Sequence, residues 1–235
     1  MTIAIIPARG GSKRIPRKNI VDFLGQPMIT YPLRAAILSD AFDRIWVSTD
    51  DAEIGAVAGL YGADMILRPP ELADDYTGTQ AVVKHALESL MAEGRVDPAA
   101  PVCCIYPTAV MLKGDDLTMA HQLLQESGKQ YVFSVCRYHA AIQRALRMSP
   151  QGEITPVWPQ FAQVRTQDLE PRFYDAGQFY FGWARAFLDG VPLFAPHSLG
   201  YEIPATRAVD IDWPEDLEIA KATYQAAHTK KEEGR

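Results

Sequence analysis

A dense group of cations follows the first apolar run of the chain. Residues 2–7 (TIAIIP) are typical of a buried strand, and residues 8–19 (ARGGSKRIPRKN) hold five Lys or Arg residues and no carboxylate. Gly10 and Gly11 can adopt positive φ and so turn backbone N–H groups toward a ligand. A glycine turn rimmed with cations at the end of a strand predicts a polyphosphate cradle. Its candidate members are Ala8, Arg9, Gly10, Gly11, Ser12, Lys13, Lys18 and Asn19.

This first loop matches neither of the two common phosphate-binding patterns. The Walker pattern GxxxxGK[ST] and the dinucleotide pattern GxGxxG are both absent from it. Arg9, Lys13 and Lys18 are the best phosphate partners, and Asn19 lies where it can contact a ribose or a base. The alternative interpretation is a basic surface loop that only keeps the protein in solution.

Asp210 and Asp212 form a second candidate site, within the sequence VDID. We expect a strand over 207–211, and two residues spaced by two share one face of a strand. Two carboxylates together with phosphate oxygens and water suit Mg²⁺, which is the expected cofactor. The alternative is helix capping, because Asp212 and Glu215 also match a capping box at Pro214. The pattern leaves both roles open.

Further polar residues lie where strands are predicted to end. Arg68, Thr77 and Thr79 follow the predicted third strand, at the usual position of ligand contacts in an open α/β sheet. The carboxylates with which Arg68 can pair instead are those of Glu71, Asp74 and Asp75. The residues suited to sugar hydroxyls further along the chain are Arg165, Gln167, Asp168, Asp175 and Gln178.

Apolar runs alternate with helical patterns up to residue 136, which predicts a parallel α/β sheet. The predicted strands are 2–7, 44–48, 64–67, 102–106 and 131–136, and the predicted helices are 28–38, one capped by Asp50, 80–92 and 115–126. The pattern is interrupted over 137–172, where we expect a β-arm or long loop suited to dimer contacts. It returns in a strand over 175–181, and the last helix is predicted over 214–227. We treat 1–235 as one domain.

The composition limits the functional class. The chain has 235 residues, 48% of them apolar, and a net charge of −6, as is typical of a soluble globular protein. Because the positive charge is concentrated in one loop, we expect a small anionic ligand and no nucleic acid. No apolar stretch is long enough to span a membrane, and three cysteines without metal-ligand spacing predict reduced thiols in the cytoplasm. Cations, glycines and two carboxylates suit nucleotidyl transfer, in which the protein positions groups and stabilises charge.

The first loop belongs to a longer motif, IIPARGGSKxIPxKNI. Further motifs are VSTD at 47–50, RPxEL at 68–72, PT at 107–108 and VDIDxPED at 209–216. Together they resemble the CMP-sialic acid synthetases, the acylneuraminate cytidylyltransferases, over essentially the whole chain. A narrower resemblance, to members of the family that use pseudaminic acid, lies in DDYTGT at 74–79, CIYPT at 104–108, IQRA at 142–145, QDLEP at 167–171 and DAGQFY at 175–180.

The resemblance implies a fold and a reaction. The fold would be a three-layer α/β/α, Rossmann-like sheet of the nucleotide-diphospho-sugar transferase type. CTP and a nine-carbon 2-keto acid sugar would give the CMP-sugar and pyrophosphate, with Mg²⁺ assisting the departure of pyrophosphate. The segment 137–172 would be the dimerisation arm of a homodimer and would reach into the sugar site of the partner.

The resemblance also implies roles for individual residues. Arg9, Ser12, Lys13 and Lys18 would bind the triphosphate, and Thr77 and Thr79 would also contact the nucleotide. Asn19 and Arg68 would help to place the cytidine. Lys18, Asp210 and Asp212 would be catalytic, the two carboxylates as metal ligands. The residues expected to contact the sugar are Tyr106, Pro107, Thr108, Gln143, Arg144, Arg165, Gln167, Asp175 and Gln178.

Tyr106 departs from the family pattern at the expected sugar site. Sialate synthetases have Gln where this chain has Tyr106, and a Gln amide can contact both nucleotide and sugar. Its absence puts N-acetylneuraminate in doubt, and a phenol can stack on or hydrogen-bond to a differently substituted sugar. The narrower resemblance implies that this sugar is pseudaminic acid. The alternatives are a synthetase for N-acetylneuraminate or another nonulosonate, a DxD glycosyltransferase, and a non-catalytic nucleotide-binding protein. The cation density of the first loop counts against the glycosyltransferase, which needs no triphosphate cradle.

Overall fold

The computed structural model describes residues 1–232. The strands are β1 (Ile3–Pro7), β2 (Asp22–Phe23), β3 (Gln26–Pro27), β4 (Arg44–Thr49), β5 (Asp64–Leu67), β6 (Pro101–Ile105), β7 (Tyr131–Arg137), β8 (Leu146–Met148), β9 (Ile154–Pro156), β10 (Phe173–Trp183) and β11 (Ser198–Glu202). The helices are α1 (Thr30–Leu38), α2 (Ala52–Gly59), α3 (Thr79–Ala92), α4 (Gly114–Ser127), α5 (Ala184–Leu188) and α6 (Pro214–Glu232). None of these helices combines the length and the apolarity that crossing a lipid bilayer requires.

Seven of the strands form one sheet, in the order β11-β7-β10-β6-β1-β4-β5. All neighbours are parallel except β10, which runs antiparallel to both β6 and β7. β1 pairs with β4 on one side and β6 on the other, so its carboxyl end lies at the middle of one sheet edge. The predicted, mostly parallel α/β sheet is confirmed.

Helices cover both faces of the sheet, as the alternation within β1 shows. Ala4 and Ile6 face one core, formed with α1, α2 and α4, whereas Ile3 and Ile5 face a second core with α3 and α5. All four side chains are fully buried, and each buried isoleucine contributes about 1.5–3 kcal/mol relative to an exposed one. The chain therefore has the three-layer arrangement that was expected, with a buried central strand directly ahead of the cationic loop.

Three local predictions were wrong. Residues 207–211 form no strand, because the apolar residues Val209 and Ile211 pack in a core with α6 instead of pairing with the sheet. The cap of α2 is Asp51 and not Asp50, since the Asp51 Oδ1 accepts the first free N–H groups of the helix. Helix α6 continues past the predicted end to Glu232.

Residues 137–172 contain the expected β-arm. Its regular part is the β8–β9 hairpin, in which Leu146 pairs with Pro156 and Met148 with Ile154. All six hairpin residues are exposed, and the remainder is irregular apart from three short 3-10 turns at Ile142–Arg144, Pro159–Phe161 and Thr166–Asp168. The interruption of the α/β pattern thus marks a segment that leaves the sheet. Its contact with a second copy of the chain stays a prediction.

Candidate active site

A cleft opens at the carboxyl ends of β1, β5 and β6, where ligands bind in open α/β sheets. It encloses a cavity of about 220 Å³. Its polar walls come from the first loop, the turn after β5, the start of α3 and the turn after β6. The residues expected to bind nucleotide or sugar that line it are Arg9, Ser12, Lys18, Asn19, Arg68, Thr77, Thr79, Tyr106, Pro107 and Thr108.

Four of the expected cradle residues do not line the cavity. Ala8 is fully buried, and the Lys13 side chain is 80% exposed. A Cβ added to Gly11 would meet no atom within 4 Å, so the structure does not require glycine there. The prediction that Gly10 and Gly11 adopt positive φ was wrong, since neither of them does. Gly10 is required instead by a close packing contact. A Cβ on Gly10 would lie 2.6 Å from an Asp51 carboxylate oxygen, and the Gly10 N–H donates to Asp50 at 2.9 Å. Glycine therefore allows the first loop to pack against the start of α2.

Carboxylates from the loop before α3 pair with the cations of the cradle. The Asp75 carboxylate contacts Arg9 at 2.7 Å and Lys13 at 2.5 Å, and Arg9 also donates to the Asp74 carbonyl at 2.7 Å. These contacts with Lys13 and Arg9 lower the pKa of Asp75. Asp75 therefore neutralises part of the positive charge of the first loop.

Arg17 differs from the other cations of the loop because its role is structural. It adopts φ of +53°, and its guanidinium contacts Asp51 and Glu53 at 2.9 Å. Hydrogen bonding to Asp51 raises the pKa of Arg17. The residue fastens the far side of the first loop to the cap of α2.

Arg68 is a buried cation that faces the cleft. Its side chain is 4% exposed and donates to the Ser48 carbonyl at 2.7 Å and to the Ser48 hydroxyl at 3.3 Å. These partners are neutral, and the expected alternative of pairing with Glu71, Asp74 or Asp75 is not seen: the Asp74 carboxylate accepts from its own loop backbone. Burial lowers the pKa of Arg68 to about 10, so the side chain remains charged at neutral pH. A buried guanidinium without a carboxylate partner is a strong anion-binding group.

Replacing Arg68 with methionine is expected to weaken CTP binding at least about tenfold without lowering the thermal unfolding midpoint. Methionine fills similar space and removes the cost of burying a charge, and the Ser48 carbonyl keeps the Ala8 N–H as a donor. Calorimetric titration with CTP and thermal melts measure the two quantities. Arg95→Met, at an exposed position, is the matched control. Unchanged CTP affinity in Arg68→Met would remove Arg68 from the binding site.

Lys18 joins the first loop to the segment with the two aspartates. Its Nζ donates to the Ile211 carbonyl at 2.8 Å and contacts the Asp212 carboxylate at 3.1 Å, with only 20% of its side chain exposed. Arg14 contacts the other Asp212 oxygen at 3.0 Å. Capping by Asp212 with Glu215 is not seen, because Asp216 accepts the N–H groups ahead of α6. Asp212 is therefore a partner of the cradle cations.

Asp210 keeps a carboxylate with no salt bridge to any residue in 1–232. Partial loss of hydration and the charge of Asp212 raise its pKa, and the charge of Lys18 opposes this. The same range holds no group of three or more metal-ligating side chains. Asp210 and Asp212 are the two residues of this segment that could hold a Mg²⁺ ion, which would need phosphate oxygens and water as its remaining ligands.

A second cavity of about 280 Å³ lies beside the cleft, and Thr79 and Tyr106 line both. Its other walls are mainly apolar, from α3, α5 and the chain ahead of β11, and Asp175 contributes a carboxylate. The Tyr106 hydroxyl bonds to the Thr79 hydroxyl at 2.9 Å. The two expected sugar-contact residues Tyr106 and Asp175 thus lie at one cavity, next to the nucleotide cleft.

The other expected sugar-contact residues lie elsewhere in the same chain. Gln143, Arg144, Arg165 and Gln167 belong to the arm, where Gln143 donates to the Glu170 carbonyl at 2.7 Å and Arg165 pairs with Asp168 at 2.8 Å. None of the four lines either cavity at the cleft.

Gln178 does not reach the cleft either. It is 1% exposed, and its amide donates to the Arg207 carbonyl. It therefore supports the chain ahead of Asp210 and has no surface with which to touch a sugar.

Sequence reasoning missed the residues that hold the segment before Asp210. Asp116 is 4% exposed and binds the Arg207 guanidinium through both carboxylate oxygens, one at 2.9 Å. The Tyr201 hydroxyl donates to Asp116 at 3.3 Å. The sequence around Asp116 shows only an acidic residue in the first turn of α4. It gives no indication of the pairing with Arg207, which lies 91 residues away.

Comparison with known sequences identifies the chain. A sequence model of the cytidylyltransferases matches residues 3–233. The chain belongs to the cytidylyltransferase family. This cytidylyltransferase is 40% identical over 227 residues to the pseudaminic acid cytidylyltransferase of Campylobacter jejuni, covering 96% of the chain and 97% of the relative. It is 29% identical over 230 residues to the N-acylneuraminate cytidylyltransferase of Escherichia coli, covering 97% of the chain and 53% of that protein.

Solved structures support the same fold. The structure of CMP:2-keto-3-deoxy-manno-octonic acid synthetase complexed with CTP matches this cytidylyltransferase with a TM-score of 0.70 at 17% identity. The match covers 96% of the chain and 99% of that structure. At this identity the likeness concerns the fold, and it confirms the predicted α/β nucleotidyltransferase-like architecture.

Proposed function

We propose that this cytidylyltransferase transfers CMP from CTP to a nonulosonic acid, with pseudaminic acid as the acceptor. The observation that carries the proposal is the buried guanidinium of Arg68, which meets Arg9 and Lys18 in one cleft at the carboxyl edge of the sheet. The choice of acceptor rests on the Campylobacter relative, which matches over nearly the whole length of both chains. Tyr106, in place of the family glutamine, agrees with that choice.

In this proposal the first loop binds the triphosphate, and Arg68 with Asn19 holds the nucleoside end. Asn19 is buried, and its amide donates to the Arg9 carbonyl at 2.8 Å, which leaves the amide oxygen for the ligand. The anomeric hydroxyl of the sugar attacks the α-phosphorus in line. The bond from the α-phosphorus to the bridging oxygen breaks, pyrophosphate leaves with the electron pair, and the hydroxyl proton passes to solvent or a base. Lys18 stabilises the charge that develops on the leaving group.

Mg²⁺ is part of the proposal, with Asp210 and Asp212 as its protein ligands. When bound, the metal would neutralise charge on the triphosphate and assist the departure of pyrophosphate. The chain contributes a free carboxylate at Asp210 and orients Asp212 through Lys18 and Arg14. The turn at Arg207, held by Asp116 and Gln178, fixes the segment that carries both.

A homodimer and a cytoplasmic location complete the proposal. Exposed apolar side chains on the arm, including Leu146, Met148 and Trp158, support its packing against a second copy of the chain. In such a dimer the arm residues Gln143, Arg144, Arg165 and Gln167 would face the partner. The cysteines are all unpaired and buried, as is usual in a reducing compartment.

The test is pyrophosphate release with CTP and Mg²⁺, offering pseudaminic acid and N-acetylneuraminic acid in parallel. Release with pseudaminic acid alone is the expected result. Release with N-acetylneuraminic acid alone would keep the chemistry and overturn the choice of sugar. If neither sugar gives pyrophosphate release, and the protein still binds CTP in calorimetry, the proposed acceptor class is overturned.

A further inference from the structure

The second cavity presents a carboxylate, whereas the neighbouring cleft presents cations. Asp175 is exposed and lines the second cavity, and no Lys, Arg or His of residues 1–232 does so. On the other side of Thr79 and Tyr106, the cleft is lined by Arg9, Lys18 and Arg68. The hydrogen bonds of Arg68 go to neutral partners, so its charge is available to an anion. The two cavities therefore favour groups of opposite charge.

A local irregularity in β10 fixes the orientation of the Asp175 carboxylate. Asp175 and Tyr180 are five positions apart, so a regular strand would place them on opposite faces of the sheet. The pairing of β10 with β7 shifts register between them, and Gly177 adopts φ of +60°. The Tyr180 hydroxyl donates to one Asp175 oxygen at 2.6 Å, and the Gly177 N–H donates to the other at 2.9 Å. Burial raises the pKa of Tyr180, so its phenol keeps the proton that this bond requires.

The held carboxylate keeps both its charge and a capacity to accept further hydrogen bonds. Each oxygen of a carboxylate can accept about two hydrogen bonds, and the bonds from Tyr180 and Gly177 use one on each. Arg172, the nearest cation in sequence, pairs with Glu170 at 2.9 Å and leaves Asp175 without its charge. Asp175 can therefore accept an O–H or N–H from a molecule in the second cavity, and it repels an anion there.

The proposed acceptor carries its charge at one end. In a 2-keto acid sugar the carboxylate is bonded to the anomeric carbon, which is the carbon that reacts, and the remaining carbons carry uncharged hydroxyl or amide groups. A sugar carboxylate in the second cavity would lose hydration beside Asp175 without a cation to compensate. The reverse orientation brings the reacting carbon to the cleft and the uncharged groups to Asp175.

We propose that Asp175 is a specificity-determining residue that selects the uncharged end of the acceptor sugar. It accepts an O–H or N–H from the end remote from the reacting carbon and repels a carboxylate there. Tyr180 is a positioning residue that holds the Asp175 carboxylate in this orientation. The inference rests on the proposed function, because it assigns which end of the acceptor lies in each cavity.

Asp175→Asn is expected to raise KM for the acceptor sugar about tenfold, with kcat and CTP affinity within about twofold of wild type. Asparagine keeps the shape of the side chain, removes the charge and replaces an accepting oxygen with a donor. Steady-state pyrophosphate release and calorimetric CTP titration measure the three quantities. Asp64→Asn, at an exposed position on β5, is the matched control and is expected to match wild type. Wild-type KM in Asp175→Asn would overturn the proposal.

Asp175→Lys tests the repulsion that orients the sugar. A cation in the second cavity would bind the sugar carboxylate there and turn the reacting carbon away from the cleft. We therefore expect the affinity of CTP-loaded protein for the sugar, measured by calorimetry without Mg²⁺, to stay within about threefold of wild type while kcat falls at least about tenfold. Weaker affinity combined with wild-type kcat would show that charge does not orient the sugar, and would overturn that part of the proposal.

Tyr180→Phe tests the positioning role, because it keeps the ring and removes only the hydroxyl. KM for the sugar is expected to rise about threefold with kcat unchanged. In an Asp175→Asn background the same substitution is expected to have no further effect, since Tyr180 acts through Asp175. Increases in KM that multiply in the double variant, or a wild-type KM in Tyr180→Phe, would remove Tyr180 from this role.

The wild-type assay separates failure of this inference from failure of the proposed function. Turnover of either sugar by wild type establishes the acceptor with which the variants are compared. If neither sugar is turned over, the proposed acceptor class fails, and the variants are compared by calorimetric binding of pseudaminic acid to CTP-loaded protein. In that assay, a loss of affinity in Asp175→Asn but not in Asp64→Asn supports the inference, whereas equal affinity in all variants, or no binding by wild type, overturns it.

Discussion

Replacing Lys18 with glutamine is expected to lower kcat about 10³-fold while weakening CTP binding no more than about tenfold. The ammonium lies at the junction of the first loop and the Ile211 carbonyl, with little exposure to water, where a fixed charge acts strongly on a leaving group. Glutamine keeps a polar N–H group and removes the charge, although its side chain is one bond shorter than that of lysine. Single-turnover rates and calorimetric CTP titration separate the two effects.

The matched control for this prediction is Lys84→Gln on α3. Lys84 has a 48% exposed side chain, and within residues 1–232 it pairs only with Glu88, one helical turn away, so kcat and CTP affinity are expected to stay at wild-type values. A thermal melt of Lys18→Gln checks that the segment around Ile211 stays in place. If kcat in Lys18→Gln equals that of wild type, Lys18 serves the structure of the loop and not the reaction.

The sequence was sufficient to predict the sheet and the position of the cleft. A buried strand that ends in glycine and cations has few possible environments, and parallel strands bring their carboxyl ends to one edge. Arg68 and Tyr106 could therefore be expected near Arg9, although they are far apart in sequence, and all three line one cavity. Local patterns carry this information because strand period and loop chemistry are properties of neighbouring residues.

The ionic partners of the cleft could not be predicted, because they depend on distant residues. The first loop contains no carboxylate, yet Asp75 and Asp212 reach its cations from other parts of the chain. Arg68 had carboxylates close in sequence and bonds to Ser48 instead. Side-chain pairing across a cleft follows from the tertiary arrangement, to which a local pattern has no access.

Gln178 shows a related limit of reasoning from strand period. A polar residue in an apolar strand near a site predicts a ligand contact, but the register shift in β10 turns Gln178 into the interior, toward the Arg207 carbonyl. The Asp175–Tyr180 bond has the same origin. Only Gly177 hints at such an irregularity in the sequence, and a glycine in a strand is compatible with several local geometries.

Asp210→Asn is expected to lower kcat at least about 100-fold at saturating Mg²⁺, with CTP affinity in the absence of metal within about threefold of wild type. Asparagine has nearly the same shape and keeps an oxygen, so the change isolates the carboxylate charge. That carboxylate has no salt bridge within residues 1–232, so its loss leaves no cation unpaired there and the fold is expected to persist. Mn²⁺ titration of the CTP complex, followed by electron paramagnetic resonance, measures metal affinity independently of turnover.

Two further variants decide what the Asp210 result means. Asp22→Asn, an exposed carboxylate on β2, removes the same charge away from the cleft and is expected to leave kcat and Mn²⁺ affinity unchanged. Asp212→Asn removes a carboxylate whose two oxygens already contact Lys18 and Arg14. If Asp212 is a full metal ligand, this variant loses Mn²⁺ affinity as Asp210→Asn does. If it mainly orients Lys18, kcat falls while Mn²⁺ affinity holds, because the metal then depends on Asp210 and the triphosphate. Wild-type Mn²⁺ affinity in both variants would contradict a metal site at these carboxylates.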